Sequence, residues 1–375
     1  MKDPYLEPDH EALAAKVRDF GEKFLRAGAE DEDDPEARTR DVAARLGRSG
    51  ILAYAVPTPF GKMDLRSLVV VREGLAYFSS LADTAFAMQG LGSHPLTLGA
   101  TETQKKRWLP AVVQGEVLCG FALTEPEAGS DLGGIRTTAA RDGAVWRLNG
   151  VKTYISNAGI AGLYTVLARS SDAPSTKGLS MFLVDAEAPN LGVRPLAPMA
   201  AHPLGELRLD GVPAVLLGEE GKGMGLALAT LDTFRPSVGA AACGMALRAL
   251  DEAVRHALAR RQFGKPLAEF QAVQTALAEM HVDIAGARLL VRQAAWTKDL
   301  GQERISREAA VAKLAATEMA QRVVDRAVQI KGGAGVMKGS TVERLYREVR
   351  ALRIYEGTSE IQKLVIAGAV LKEKR

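Results

Sequence analysis

The apolar residues of this chain change their period twice, and that change limits what it can fold into. From about Glu11 to Gln114 they recur at spacings of three and four, as in Leu13, Val17, Phe20 and Phe24, the repeat of an amphipathic helix. Between about Leu118 and Gly218 the runs become short and β-rich (LCGFALT, AVWRL, VKTYIS, LYTVLAR, LSMFLVDA), divided by Gly, Pro, Asp and Asn. From Lys222 onward long helical stretches return, over Met224 to Arg261, Leu267 to Leu300, Ser306 to Gln329 and Ser359 to Leu371. This order predicts an α+β protein of three domains: an N-terminal all-α domain over 1–117, a middle β-barrel or sandwich domain over 118–220, and a C-terminal four-helix bundle over 221–375. A length of 375 residues with 47% hydrophobic content suffices for such a core.

Local signals punctuate these blocks. Thr101 to Gln104 reads as a capping box opening a helix that Gly115 closes. Asn149-Gly150 reads as the two-residue turn of a β-hairpin, because that turn needs positive φ at both positions. Gly301 and the Gly332-Gly333 pair suit helix ends.

Composition excludes several classes of function. The 48 basic and 45 acidic residues leave a net charge of +3, too little to imply nucleic acid or an anionic membrane as a partner. Cys119 and Cys243 make no disulfide framework and have no Cys or His at zinc-ligand spacing, so a reducing cytoplasm is expected and no metal. The start, MKDPYLEPDHEAL, has no apolar run of the kind a secretory signal needs, and no apolar stretch reaches the ~20 residues of a membrane span. The glycines of GEEGKGMG and GGAGVMKG fit neither dinucleotide nor P-loop spacing, and the five histidines form no i, i+4 pair.

Three segments carry more information. In CGFALTEPEAGSDLGGIRT (119–137) a strand ends at Leu123-Thr124, and the turn at Ala128-Gly129-Ser130-Asp131 is either an ordinary surface loop or a cradle of N–H groups for an anion. In ARRQFGKPLAEFQ (259–271) Arg260 and Arg261 suit a helix C-terminus, while Phe263 beside Gly264 exposes an aromatic ring in a loop. In RIYEGTSEIQ (353–362) Glu356 sits between apolar Ile354 and Tyr355 and the glycine Gly357, which fits either a helix-entry residue or a buried base.

Taken together, FALTEPEAGSD, KTYISNAG, RRQFGKPLAEFQ, QIKGGAG and YEGTSEIQ resemble the acyl-CoA dehydrogenase family of flavoproteins, in order and at about the family's spacings, across nearly the whole chain. The resemblance implies a bound FAD lying between the β domain and the C-terminal bundle and reaching a neighbouring subunit, in a homotetramer or homodimer. It implies α,β-dehydrogenation of an acyl-CoA thioester to the 2-enoyl-CoA, with electrons passed to an electron-transfer flavoprotein. Glu356 matches the base that takes the Cα proton, its backbone N–H helping to hold the thioester oxygen. Phe121, Leu123 and Thr124 resemble the strand beside the flavin's pyrimidine side, and Ser130 the serine at the pyrophosphate and substrate. Tyr154 stands where a tryptophan is common, and Ser156 near the flavin N5. Arg260, Phe263 and Gln329 look like the residues that reach FAD from a partner subunit, with Gly332 and Gly333 beside its adenosine part and Thr358 at the diphosphate. Asp232 and Arg235 match positions at the pantetheine arm and the floor of the site, and Tyr355 and Gly357 flank the base at the substrate. Phe234 occupies a position where some relatives carry a different catalytic glutamate. An oxidase or flavin monooxygenase on the same fold, and a flavin-bearing nucleic-acid-associated protein, are the alternative expectations.

Overall fold

A computed structural model describes residues 3–28, 32–143 and 145–373. The first third is helical: α1 (Pro8–Phe24), α2 (Pro35–Arg48), α3 (Leu65–Phe78), α4 (Ser80–Gly99) and α5 (Glu102–Gln114). Seven strands follow: β1 (Cys119–Ala122), β2 (Thr138–Asp142), β3 (Val145–Ser156), β4 (Leu163–Arg169), β5 (Leu179–Asp185), β6 (Leu191–Pro195) and β7 (Leu204–Leu217). The last third holds α6 (Gly223–Ala259), a short ribbon of β8 (Arg261–Gln262) and β9 (Lys265–Pro266), then α7 (Gln271–Asp299), α8 (Ser306–Lys331), α9 (Thr341–Leu352) and α10 (Ser359–Lys372). The α+β order read from the sequence is therefore the order of the elements. The predicted capping box is formed, Thr101 accepting from the Gln104 N–H and Gln104 reaching back, and Gly115 ends α5 in the left-handed region at φ 73°.

Through-space contacts divide the chain into two compact units: Met1–Glu32, Asp64–Asp83 and Arg235–Arg375 in one, and Asp33–Met63 and Thr84–Phe234 in the other. In the second unit β4, β2, β3, β7 and β5 close into a ring of pairings, with β1 parallel to β4 and β6 along β7. Side chains alternate across β4 and β5, Leu163, Leu167, Leu179, Met181 and Leu183 packing with Leu96, Leu109 and Val112 of α4 and α5. Tyr164, Val166, Phe182 and Val184 fill the opposite face with Trp146, Leu148 and Leu207. Both faces being covered explains why LYTVLAR and LSMFLVDA read as continuous apolar runs instead of alternating ones.

One expectation is corrected. Asn149-Gly150 is not a hairpin turn: β3 runs straight through it, and the connection between β2 and β3 lies at Gly143, beyond the Asp142–Val145 pair. Here Asn149 Oδ1 accepts from the Gly211 N–H at 2.8 Å, opposite an extra residue in β7 where Gly211 adopts φ 66°. Gly150 is needed for close approach, since a Cβ there would lie 2.5 Å from Thr137 Oγ1. The left-handed hairpin pair occurs instead at Phe263-Gly264 (φ 51° and 82°), joining β8 to β9. The C-terminal third also contains a fifth helix, α9, which is short but strongly amphipathic, burying Val342, Leu345, Val349 and Leu352.

Candidate active site

The site builds from a chain reversal in the helical unit. After α9 the backbone turns through two successive left-handed residues, Glu356 (φ 54°) and Gly357 (φ 91°), and Thr358 then caps α10 by accepting from the Ile361 N–H at 3.3 Å. A glutamate in that region costs on the order of 1 kcal/mol or more and persists only if its surroundings fix it. They do: Arg235 Nε donates to the Glu356 carbonyl at 3.1 Å, Lys313 Nζ to the Gly357 carbonyl at 2.7 Å, and Gln362 Nε2 to the Gly357 carbonyl at 2.9 Å. A side chain at Gly357 would be strained at φ 91° and would displace Gln362 Nε2, which a Cβ would meet at 2.6 Å.

The Glu356 residue is half-buried, but its Oε2 is shut off from solvent and has no hydrogen-bond partner among the described residues. Burial pushes the carboxyl pKa above the usual carboxylate range, against the pull of Arg72, Lys313 and Arg235 and with a push from Asp83. Lys313 is buried too, and desolvation lowers its pKa to about 8 although Glu356 supports its charge. Arg72, 2% exposed, forks onto Asp83 at 2.8 and 2.7 Å and donates to Ser237 Oγ at 2.9 Å. Arg72, Asp83, Lys313 and Gln362 were not singled out from the sequence. Charges inside the apolar runs VVVREGL and AVAKLAA were the signal available.

A second cluster lies in the β-containing unit. The Thr153 N–H donates to the Thr124 carbonyl at 2.9 Å and Asn157 Nδ2 to the Cys119 carbonyl at 2.9 Å, so Phe121, Leu123 and Thr124 are brought beside Tyr154 and Ser156. Tyr154 is 67% exposed at φ 57°, Phe121, Thr124 and Ser156 are half-buried, and Leu123 is buried in the core. Glu125 and Ala128 exchange backbone hydrogen bonds, which closes the turn presenting exposed Gly129 and Ser130. Beneath the turn Glu125 accepts from the Arg136 and Thr137 N–H groups at 2.7 and 3.0 Å and from Lys152 Nζ at 2.8 Å, while Lys152 also donates to the Leu123 carbonyl at 2.9 Å. This buried pair, which the sequence reading left out, ties the end of β1 to β3. Phe234 is fully buried, edge-on to His94 at 5.6 Å, and cannot serve as a base; Asp232 is half-buried three residues before Arg235.

The third group sits in the helical unit. Phe263 is 93% exposed at the tip of the β8–β9 hairpin, and Arg260, Gln329, Gly332 and Gly333 are exposed as well. Lys331 reaches Glu252 at 3.7 Å, and both Lys331 and Arg260 depress the His256 pKa after burial, so the ends of α6 and α8 lie together. In the β-containing unit the open space beside Gly129 and the exposed ring of Tyr154, and in the helical unit the open space beside Gly332 and Gly333 with exposed Phe263 and Arg260, are each suited to a planar or anionic group. Among the described residues there is no His, Cys, Asp and Glu group that could hold a metal ion.

Comparison with known proteins gives these clusters their context. Residues 7–116, 120–212 and 221–371 match the N-terminal, middle and C-terminal domains described for acyl-CoA dehydrogenases. The short-chain specific mitochondrial acyl-CoA dehydrogenase of Bos taurus is 38% identical over 384 residues, covering 99% of this chain and 92% of that one. The caffeyl-CoA reductase-Etf complex subunit CarC of Acetobacterium woodii is 34% identical over 98% of this chain and 100% of its own length. The structure of butyryl-CoA dehydrogenase from Megasphaera elsdenii superposes with a TM-score of 0.92 at 34% identity, covering 99% of this chain and 100% of that one. With all three domains matched in order and relatives of this identity along its whole length, the chain belongs to the acyl-CoA dehydrogenase family.

Proposed function

We propose that this FAD-dependent acyl-CoA dehydrogenase removes the Cα proton of its thioester substrate with Glu356 and passes its electrons to an electron-transfer flavoprotein. The observation that carries the reading is the buried, partnerless Oε2 of Glu356, held on a strained turn by three side chains. A carboxylate pushed up by burial is a stronger base than a hydrated one, and it suits a proton that is only weakly acidic. FAD, when bound, supplies the hydride acceptor, which no protein side chain can be. The Glu356 N–H has no hydrogen-bond partner among the described residues, which supports a role in donating to the thioester oxygen as negative charge develops there. Phe121, Leu123, Thr124, Ser130, Tyr154, Ser156 and Thr358 would hold the cofactor within one subunit. Arg260, Phe263, Gln329, Gly332 and Gly333 would do so from a partner, with Asp232, Arg235, Tyr355 and Gly357 toward the substrate.

The test is anaerobic bleaching of the flavin by butanoyl-, octanoyl-, palmitoyl-, 3-phenylpropanoyl- and cyclohexanecarbonyl-CoA. Glu356→Gln keeps the shape and should bind FAD and acyl-CoA while losing roughly 10²–10⁴-fold or more in the rate of bleaching. Reduction within about tenfold of wild type would remove Glu356 from the base role. Rapid oxygen consumption with the same substrates would identify an oxidase instead. The relative named as a caffeyl-CoA reductase favours a second reading, the same constellation run in reverse with protonated Glu356 giving its proton to Cα. Reoxidation of the reduced enzyme by cinnamoyl-CoA, without bleaching of the oxidised enzyme by 3-phenylpropanoyl-CoA, distinguishes it.

Exposed apolar side chains on the C-terminal helices, among them Val282, Leu289, Leu364 and Leu371, support a homotetramer or homodimer, which light scattering resolves. No helix among the described residues is long and apolar enough to cross a membrane, and a cytoplasmic location is part of the proposal.

A further inference from the structure

The Arg72–Asp83 pair is the most deeply buried charge cluster near the proposed base, and nothing in the reaction as derived uses it. Arg72 leaves α3 and meets Asp83 at the start of α4, with both side chains 2% exposed. If joining two helices were its only task, an apolar pair would do so without desolvating two ions, often with equal or greater stability. Its third contact runs elsewhere: Nη1 donates to Ser237, two residues along α6 from the Arg235 that clamps the Glu356 carbonyl. The guanidinium is thus fixed by three hydrogen bonds, and its charge interacts with both Tyr355 and Glu356.

We propose that Arg72 is a positioning residue for Glu356, a fixed and fully desolvated cation whose charge offsets that of the buried carboxylate so that the base is ready before acyl-CoA enters. Asp83 and Ser237 hold the guanidinium in place instead of letting it close an ion pair with Glu356, which would tie up the lone pairs that must take the proton. The other charged groups facing the carboxyl are Lys313 from α8 and Arg235 from α6, both committed to backbone carbonyls, and Asp83 itself. Of the three cations Arg72 exerts the largest pull, and the opposing push of Asp83 is the smallest effect, so removing the pair together leaves a net loss of support for the charge.

This inference rests on Glu356 as the base, and its test is chosen to be separable from that reading. In the holoenzyme, the carboxylic-acid infrared band of wild type minus that of Glu356→Gln is followed between about pH 4 and 9, giving the midpoint at which Glu356 loses its proton without any turnover. In Arg72→Met/Asp83→Leu, which replaces the ion pair with apolar side chains, the midpoint should rise by about one pH unit, a tenfold drop in the ionised fraction below it. The pH profile of flavin bleaching by whichever of the five acyl-CoA probes is fastest should move with it. Arg72→Lys, which keeps the cation, should restore both to within about 0.3 units of wild type. Should the double variant not fold, Arg72→Gln, which keeps donors but no charge, carries the same expected rise. A midpoint within about 0.3 units of wild type in the folded charge-free variant overturns the proposal. Retained bleaching in Glu356→Gln would instead sink the base assignment while leaving the infrared midpoint measurable.

Discussion

Replacing Lys152 by Met should destabilise the β-containing unit far more than a surface lysine would. Lys152 is fully buried and its Nζ lies 2.8 Å from Glu125 Oε1, a separation worth roughly 6 kcal/mol of attraction at an effective dielectric constant near 20. Burial outweighs this attraction: the Lys152 pKa is lowered to about 8 even with Glu125 supporting the charge, so the ammonium depends on its partner. Glu125, also opposed by burial, is nevertheless held below its usual pKa by Lys152, Thr137 and the Arg136 N–H. With Met at 152, Glu125 keeps two N–H donors but loses its counter-charge, and breaking a buried pair this way costs about 3–5 kcal/mol. At about 2–4 °C per kcal/mol for a unit of this size, Tm should fall by about 6–20 °C at neutral pH.

The pH dependence has a definite sign. In wild type the depressed Glu125 pKa adds stability above the unfolded value of about 4.5, which is lost as pH falls through the folded value. Without Lys152, burial is opposed only by the two N–H donors and should raise that pKa, so the folded state binds the extra proton and stability falls as pH rises past about 4.5. The Tm deficit of Lys152→Met should therefore widen from acid to neutral pH. Adding Glu125→Gln removes the orphan charge and should recover about half of the loss or more. Differential scanning fluorimetry and circular dichroism on the four proteins measure this. A deficit under about 2 °C at neutral pH, or a double variant as unstable as the sum of the singles, would refute the reasoning.

Three further outcomes are expected. Glu356→Gln should raise Tm relative to wild type increasingly as pH climbs from about 4.5, because a raised folded pKa means the ionised carboxylate opposes folding above the unfolded value; a difference that does not change with pH would contradict it. Gly150→Ala should cost about 2–4 kcal/mol, since a Cβ there would lie 2.5 to 2.9 Å from Thr137, and unaltered thermal stability would show that β2 can move aside. Phe263→Ser at the exposed hairpin tip should leave the Tm of flavin-free protein unchanged while lowering flavin occupancy after gel filtration, and full occupancy would deny the ring a place at the cofactor.

What the sequence made legible was whatever is local. Apolar period distinguished helix from strand, Thr101 and Gln104 announced their cap, and Phe263-Gly264 marked an exposed aromatic. Local chemistry also misled at Asn149-Gly150, because the same residues that favour a hairpin turn serve to face the bulge at Gly211, and only the pairing partner decides which. Helix α9 was passed over because its 12 residues follow a glycine-rich segment and carry many charges, although its apolar face is well formed. The electrostatic surroundings of Glu356 were the least legible part. Arg72, Asp83, Arg235 and Lys313 come from four helices scattered over more than 200 residues of sequence, and no short window contains their relation.

Strand β3 carries a second irregularity whose consequence is genetic as much as structural. Between Lys152 and Ile155 it takes three steps while β7 takes two, and the buried positions pass from even numbers (Trp146, Leu148, Lys152) to odd ones (Thr153, Ile155), leaving Tyr154 outside at φ 57°. The bulge acts as a change of reading phase. Deleting one residue there would invert which side chains the end of the strand shows to the outside, without any substitution. The face that carries Tyr154 can thus be rewritten by a single codon's loss or gain, a route by which chains of this architecture exchange the side chain exposed at this point while every other strand keeps its register.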